Sequence, residues 1–204
     1  MTTIATRTIG EYLDTLASPS PAPGGGSVAG LVGALAAALG QMVANITVQS
    51  APNPALATAA ANLSHSSTSL LNAAEQDETC FPGYIAASRL PKSTEADKAT
   101  RLQAMQDAII YAAEVPLNLA THAAEVLDLL EPVAREGTAH AASDTAIGIN
   151  LAEASVIAAL SNVRANIPLI KREESANHFT HAVAAVEARA TTQAAQLREI
   201  LSSR

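Results

Sequence analysis

At 204 residues and a formal charge of −7, the chain has the length of one domain, and its 12 Lys plus Arg are too sparse for the basic stripe that a run of phosphates requires. Hydrophobic residues make up 49%, aromatics only 2%, and alanine alone about a fifth, which argues against sandwiches, barrels and doubly wound sheets because alanine is the strongest helix former and a poor strand residue. The single cysteine, Cys80, excludes a disulfide framework and a Cys-rich metal cluster, and it fits a reducing cytoplasm.

Taken in chain order, the punctuation predicts a short helix over 8–17 with Ile9, Leu13 and Leu16 apolar, ended by Pro19, Pro21 and Pro23. Acidic Glu11 and Asp14 and the lack of a continuous apolar run make this N-terminus a poor secretory signal. Gly24, Gly25 and Gly26 lead to Ser27, expected as the N-cap of a long apolar helix reaching Val48. That stretch lies in about sixty uncharged residues between Asp14 and Glu75 and is long enough to span a membrane. The nearest cations are Arg7 and Arg89, no Trp or Tyr borders it, and Gln41 and Asn45 interrupt it, so the expectation is a buried central helix with no membrane contact.

Pro52 and Pro54 open a third helix to about Leu90, which Pro82-Gly83 is expected to bend or interrupt. After the loop Arg89-Leu-Pro-Lys92, a fourth helix is expected from Ser93 to Leu130, kinked at Pro116 and ended by Glu131-Pro132 and Gly137. Ser143 is expected to cap a fifth helix through Asn166, and Glu173 to Leu201 forms an amphipathic sixth. The expected fold is one all-α domain over residues 1–204, an up-and-down bundle of five to six helices around one long buried central helix.

Three features carry chemistry. The glycine run before a helix lets backbone approach a ligand, and a helix N-terminus favours anions; a connector between two helices is the plain alternative. Glu75-Gln76-Asp77-Glu78 follows the long uncharged stretch, so a carboxyl there is open to desolvation and to the raised pKa of a proton carrier, with a solvated acidic face as the alternative. Arg89, Lys92, Lys98 and Arg101 form the main basic cluster, suited to substrate carboxylates or simply to a charged surface. Asn162 and Asn166 place two amides one turn apart on an apolar helix. Glu174, His178 and His181 lack the spacings of helical metal motifs, and no metal site is expected.

In order, the segments PAPGGGSVAGLVGALAAALGQMVANIT, EQDETCFPGYIAASRLPK, AAEVPLNLA, GTAHAASD and NVRANI resemble the cyclodeaminase/cyclohydrolase family of folate enzymes, over nearly the whole chain. The resemblance implies a dimerising helical bundle acting on a tetrahydrofolate derivative, possible polyglutamylation of that substrate included, with no metal or redox cofactor. By the same resemblance Asp77 matches the catalytic aspartate, with Ser143 and Asp144 as its assisting pair. Gly24, Gly25, Gly26 and Ser27 match the glycine loop, Arg89 and Lys92 the element suited to the glutamate tail, and Asn162 and Asn166 the amide pair. The chain departs from the family pattern at Thr79-Cys80 and at Thr138 and His140. The implied activity is formiminotetrahydrofolate cyclodeaminase; the alternatives are methenyltetrahydrofolate cyclohydrolase and a folate-binding helical dimer without turnover.

Overall fold

A computed structural model describes residues 3–204. Among them are six α-helices and no strand: α1 (Ile9–Leu16), α2 (Gly25–Ser50), α3 (Pro54–Ser88), α4 (Glu95–Glu136), α5 (Ala142–Asn166) and α6 (Glu173–Ser202). Short connections turn the chain back on itself, so α2, α3, α4 and α5 form an up-and-down bundle, and α6 lies along α4 and α5.

Helix α2 sits at the centre, in contact with α3, α4 and α5. Its buried face is almost entirely Gly, Ala and Ser, from Gly26 to Ala44, so neighbouring helices approach at backbone distance. At Gly30 a Cβ would stand 2.7 Å from the Ala74 Cβ and 2.8 Å from the Leu70 carbonyl oxygen, groups with no freedom to yield. Polar groups inside this tight seam are satisfied across helices: the Ser155 hydroxyl donates to the Ala29 carbonyl at 2.7 Å, and Ser67 donates to the Ala34 carbonyl at 3.2 Å. Larger residues fill the space around this seam: Leu56, Leu63 and Leu70 of α3 and Leu119, Leu127 and Leu130 of α4 are wholly buried in one core, with Leu70 beside Gly33 and Leu63 and Leu130 beside Gly40. This packing accounts for the uncharged run read from the sequence: α2 and the segment Ala139–Leu169 are both long and apolar enough to cross a membrane, and both bury much of that surface against other helices.

Several boundaries differ from expectation. Gly24, not Ser27, is the N-cap of α2; Ser27 is the third helical residue, wholly buried, its hydroxyl turned away from the helix start. Thr94 rather than Ser93 caps α4, in a reciprocal capping box with Asp97. Pro82 neither ends nor interrupts α3, and α4 runs through Pro116 and Pro132 to Glu136. Each proline deletes one donor from a helix of 35 or 42 residues whose apolar side is buried, and that packing outweighs the lost bond. Ser143 is not a cap either, because α5 continues from the 3-10 turn Ala139–Ala141 and starts at Ala142 with no side-chain cap.

Helix α1 docks separately. Tyr12 is buried with Ile4 and Ala74 in a small cluster of its own, which lays the N-terminal segment across the start of α2 and the middle of α3.

Candidate active site

The N-terminus of α2 opens into a cleft of about 360 Å³ between α3, α4 and α5. Its walls are mainly apolar, including Phe81, Tyr84, Ile109 and Ala112, and its polar groups converge from Asp77, Glu78, Asn162 and Asn166.

Asp77 lies on α3 directly over the first turn of α2. A Cβ at Gly26 would overlap its carboxyl, so only glycine lets the two helices come this close. The Ser27 backbone N–H donates to that carboxyl. Burial pushes the Asp77 pKa above the usual aspartate range, the Ser27 amide pulls it back, and the neighbouring Glu78 charge pushes it up again. The Gly25 and Gly26 amides make no hydrogen bond among the described residues, leaving the positive end of the α2 dipole with free donors. A partly desolvated carboxyl thus stands beside free backbone donors in an apolar cleft, an arrangement able to pass a proton at a centre that gains and loses charge.

The two asparagines have different duties. Asn166 spends its amide on the Ala112 carbonyl at 2.9 Å and the Asn162 carbonyl at 3.0 Å, tying α5 to α4. The Asn162 side chain is close to Gly25, makes no hydrogen bond among the described residues, and is the amide left for a ligand. Cys80 forms part of the wall, its thiol pushed up to about 11 by burial and then by the Asp77 charge, so it is a poor nucleophile at neutral pH.

Arg89 and Lys92 do not line the cleft. They are exposed in the loop after α3, Arg89 about 18 Å beyond Asp77 along the helix axis, on the side toward which Phe81 and Tyr84 extend the cleft. Neither has a carboxylate partner among the described residues. Ser143 and Asp144 lie at the opposite end of α5, about 28 Å of helix axis from Asn162, so one chain alone does not bring them to Asp77.

Tyr12 and Arg7, which reach the site through the Ser27 hydroxyl and Glu78, are residues that sequence reasoning missed. Tyr12 was visible only as the one aromatic in α1, and the pairing of Arg7 with Glu78 spans 71 positions, beyond any local pattern.

Comparison with known proteins agrees with this fold. A model of the formiminotransferase-cyclodeaminase family matches residues 8–185. The chain is 34% identical over 163 residues to the methenyltetrahydrofolate cyclohydrolase of Methylorubrum extorquens, covering 78% of each. It is 32% identical over 175 residues to the formimidoyltransferase-cyclodeaminase of Gallus gallus, covering 84% of this chain and 32% of that longer protein. Among solved structures, formiminotetrahydrofolate cyclodeaminase from Thermotoga maritima superposes with a TM-score of 0.86 at 25% identity, over 98% of both chains. On the match across most of its length, the chain belongs to the formiminotransferase-cyclodeaminase family.

Proposed function

We propose that the protein is a folate one-carbon enzyme, a formiminotetrahydrofolate cyclodeaminase that converts 5-formiminotetrahydrofolate to 5,10-methenyltetrahydrofolate and ammonia. The observation that carries this is the Asp77 carboxyl, desolvated yet held by the Ser27 amide, at the floor of an apolar cleft. The formimino group enters protonated, as an amidinium; N10 of the substrate attacks its carbon, the C=N electrons move to the nitrogen to leave an amino group, and Asp77 accepts the N10 proton. The same proton then goes to the amino group of the tetrahedral centre, ammonia leaves, and the methenyl cation remains beside the carboxylate. The carbon keeps its oxidation level throughout, so the chemistry calls for no redox cofactor. Gly24, Gly25 and Gly26 give the bicyclic head backbone contact, Asn162 offers an amide, and Arg89 and Lys92 are placed for the tail carboxylates.

Hydrolysis of methenyltetrahydrofolate is the second reading, favoured by the 34% identity to the Methylorubrum extorquens relative. There Asp77 takes the proton of the attacking water and the ring opens to the 10-formyl product. Purified protein offered each substrate in turn decides between them: release of ammonia with rising methenyl absorbance supports the deaminase, loss of that absorbance without ammonia supports the hydrolase, and turnover of neither sinks both.

The partner is a second copy of the chain. Exposed Leu35, Met42 and Ile46 on α2 lie beside exposed Ile147 and Ile157 on the antiparallel α5, and Ser143 stands at one end of that face while Gly25 and Asn162 stand at the other. A two-fold axis running across these helices brings Ser143 and Asp144 of each copy toward Asp77 of its mate. Mixing inactive Asp77→Asn with an inactive Ser143→Ala/Asp144→Ala variant is expected to restore about a quarter of wild-type activity, from dimers that hold one intact site when subunits pair at random. No recovery after confirmed subunit exchange would rule out the shared site.

A further inference from the structure

The carboxylates between Glu75 and Glu78 part company in the fold. Glu75 accepts the Ile4 amide at 2.8 Å and pins the N-terminal segment to α3, while Asp77 turns into the cleft. Glu78 stands in the wall between that cleft and a second cavity of about 760 Å³ on the outer side of α3. There the Arg7 Nη2 meets Glu78 Oε2 at 3.0 Å, with the two side chains only 19% and 16% exposed. The other oxygen, Oε1, accepts a hydrogen bond from the Ser27 hydroxyl at 3.1 Å, and the Ser27 hydroxyl is 2.9 Å from that of Tyr12. Ser27 is wholly buried and Tyr12 nearly so. One residue therefore holds both carboxylates, with its backbone on Asp77 and its side chain on Glu78.

A desolvated ion pair is a poor source of net stability, since removing two charges from water offsets most of their attraction. What this one does supply is direction. Arg7, α1, α2 and α3 are fastened at a single point, one residue away from the proton carrier.

We propose that Glu78 is a positioning residue: clamped by Arg7 and bonded through the Ser27 hydroxyl to Tyr12, it fixes the first turn of α2 so that the Ser27 amide and the Gly26 backbone stay seated on the Asp77 carboxyl. This rests on Asp77 being the proton carrier and adds the residues that hold it in register.

A charge effect accompanies the geometry. Glu78 and Cys80 face Asp77 from its own helix, where Tyr84 also lines the cleft, Tyr12 from α1, and only backbone amides from α2, while Arg7 stands behind, on Glu78; the α4 and α5 walls present Ala108, Ile109, Ala112 and the neutral Asn162. The Glu78 charge adds to burial in raising the Asp77 pKa. Glu78→Gln keeps an acceptor for the Ser27 hydroxyl but removes that like charge and leaves Arg7 positive nearby. The Asp77 pKa then falls, and the acid limb of kcat moves to lower pH. Glu78→Ala removes the acceptor as well and frees the α2 turn.

The test is the pair Glu78→Gln and Glu78→Ala, read by the pH profile of kcat and by ¹³C NMR titration of the Asp77 carboxyl, assigned with Asp77→Asn. In Glu78→Gln both the acid limb and the NMR midpoint are expected at lower pH than in the wild type. Glu78→Ala is expected to lose about tenfold more plateau kcat than Glu78→Gln while KM changes by less than about threefold, the pattern of a misplaced catalytic group. Wild-type plateau kcat in Glu78→Ala, or an unmoved limb and midpoint in Glu78→Gln, would overturn the proposal. If Glu78→Ala does not fold, Ser27→Ala, which deletes the hydroxyl and keeps the amide, takes its place with the same kcat criterion. If the wild type turns over neither folate, the NMR midpoint still decides: a shift in Glu78→Gln upholds the coupling of Glu78 to Asp77 while the folate reading fails.

Discussion

Asp77→Asn is expected to lower kcat by about 10³-fold and to make the folded protein more stable at neutral pH. The substitution keeps an acceptor for the Ser27 amide and removes the group proposed to take and return the proton, so substrate binding is expected to change far less than turnover. The stability effect follows from the direction of the pKa shift. The folded-state pKa of Asp77 is raised, chiefly by burial, so folding opposes its ionisation. Its contribution to stability is fully present below the ordinary aspartate pKa and is lost as pH rises through the raised value. Asparagine carries no such penalty. Its advantage is therefore present at pH 7, on the order of 2–4 °C in Tm for each kcal/mol relieved in a chain of this size, and shrinks toward zero once the pH is low enough to protonate Asp77. Thermal melts at both ends of the pH range check the sign, and an advantage that grew on acidification would contradict the desolvated carboxyl.

The second large effect is expected from Gly26→Ala. The added methyl lands on the Asp77 carboxyl, so either the carboxyl swings out of the cleft or α2 and α3 separate at their closest approach. In both cases the proton carrier leaves the Ser27 amide, and a displacement of about 1 Å at a reacting group is enough for a loss on the order of 10² in kcat. The matched control is Gly83→Ala on α3, where a Cβ meets nothing within 4 Å. Parallel kinetics and circular dichroism on the two variants separate this effect from a general intolerance of alanine for glycine. Wild-type kcat in folded Gly26→Ala would mean that the close approach is not needed for catalysis.

The fold was legible because its punctuation is local. Proline runs, capping residues and the apolar period of each helix are written within a few positions of where they act, as at Pro54 and Thr8. The errors came where tertiary packing overrides a local signal. Pro132 read as a stop, yet it sits in a helix whose neighbours hold it continuous to Glu136. Ser27 read as a cap because a serine after glycines usually is one. The extended backbone of Gly24 does that work instead, and the hydroxyl serves Tyr12 and Glu78.

At the site, the acidic run stood out by contrast with the uncharged residues before it, and Asp77 does lie in the cleft. The separate tasks of its three carboxylates depend on Ile4, Arg7 and Ser27, which are 50 to 71 positions away, and nothing near Asp77 in sequence distinguishes it from Glu75 or Glu78. Ser143 and Asp144 show the opposite limit: adjacent to each other in sequence, they lie too far along α5 for one chain to test their role.

The small-residue interior of α2 also decides how this protein can be improved by design. Where backbone already touches backbone, there is no void to fill and no side chain to trim, so repacking the centre offers an engineer only losses. The open position is at a helix start. Arg172 before α6 is exposed and occupies an N-cap position with no side-chain hydrogen bond, and replacing it with Asp or Ser offers about 0.5–2 kcal/mol without touching the core.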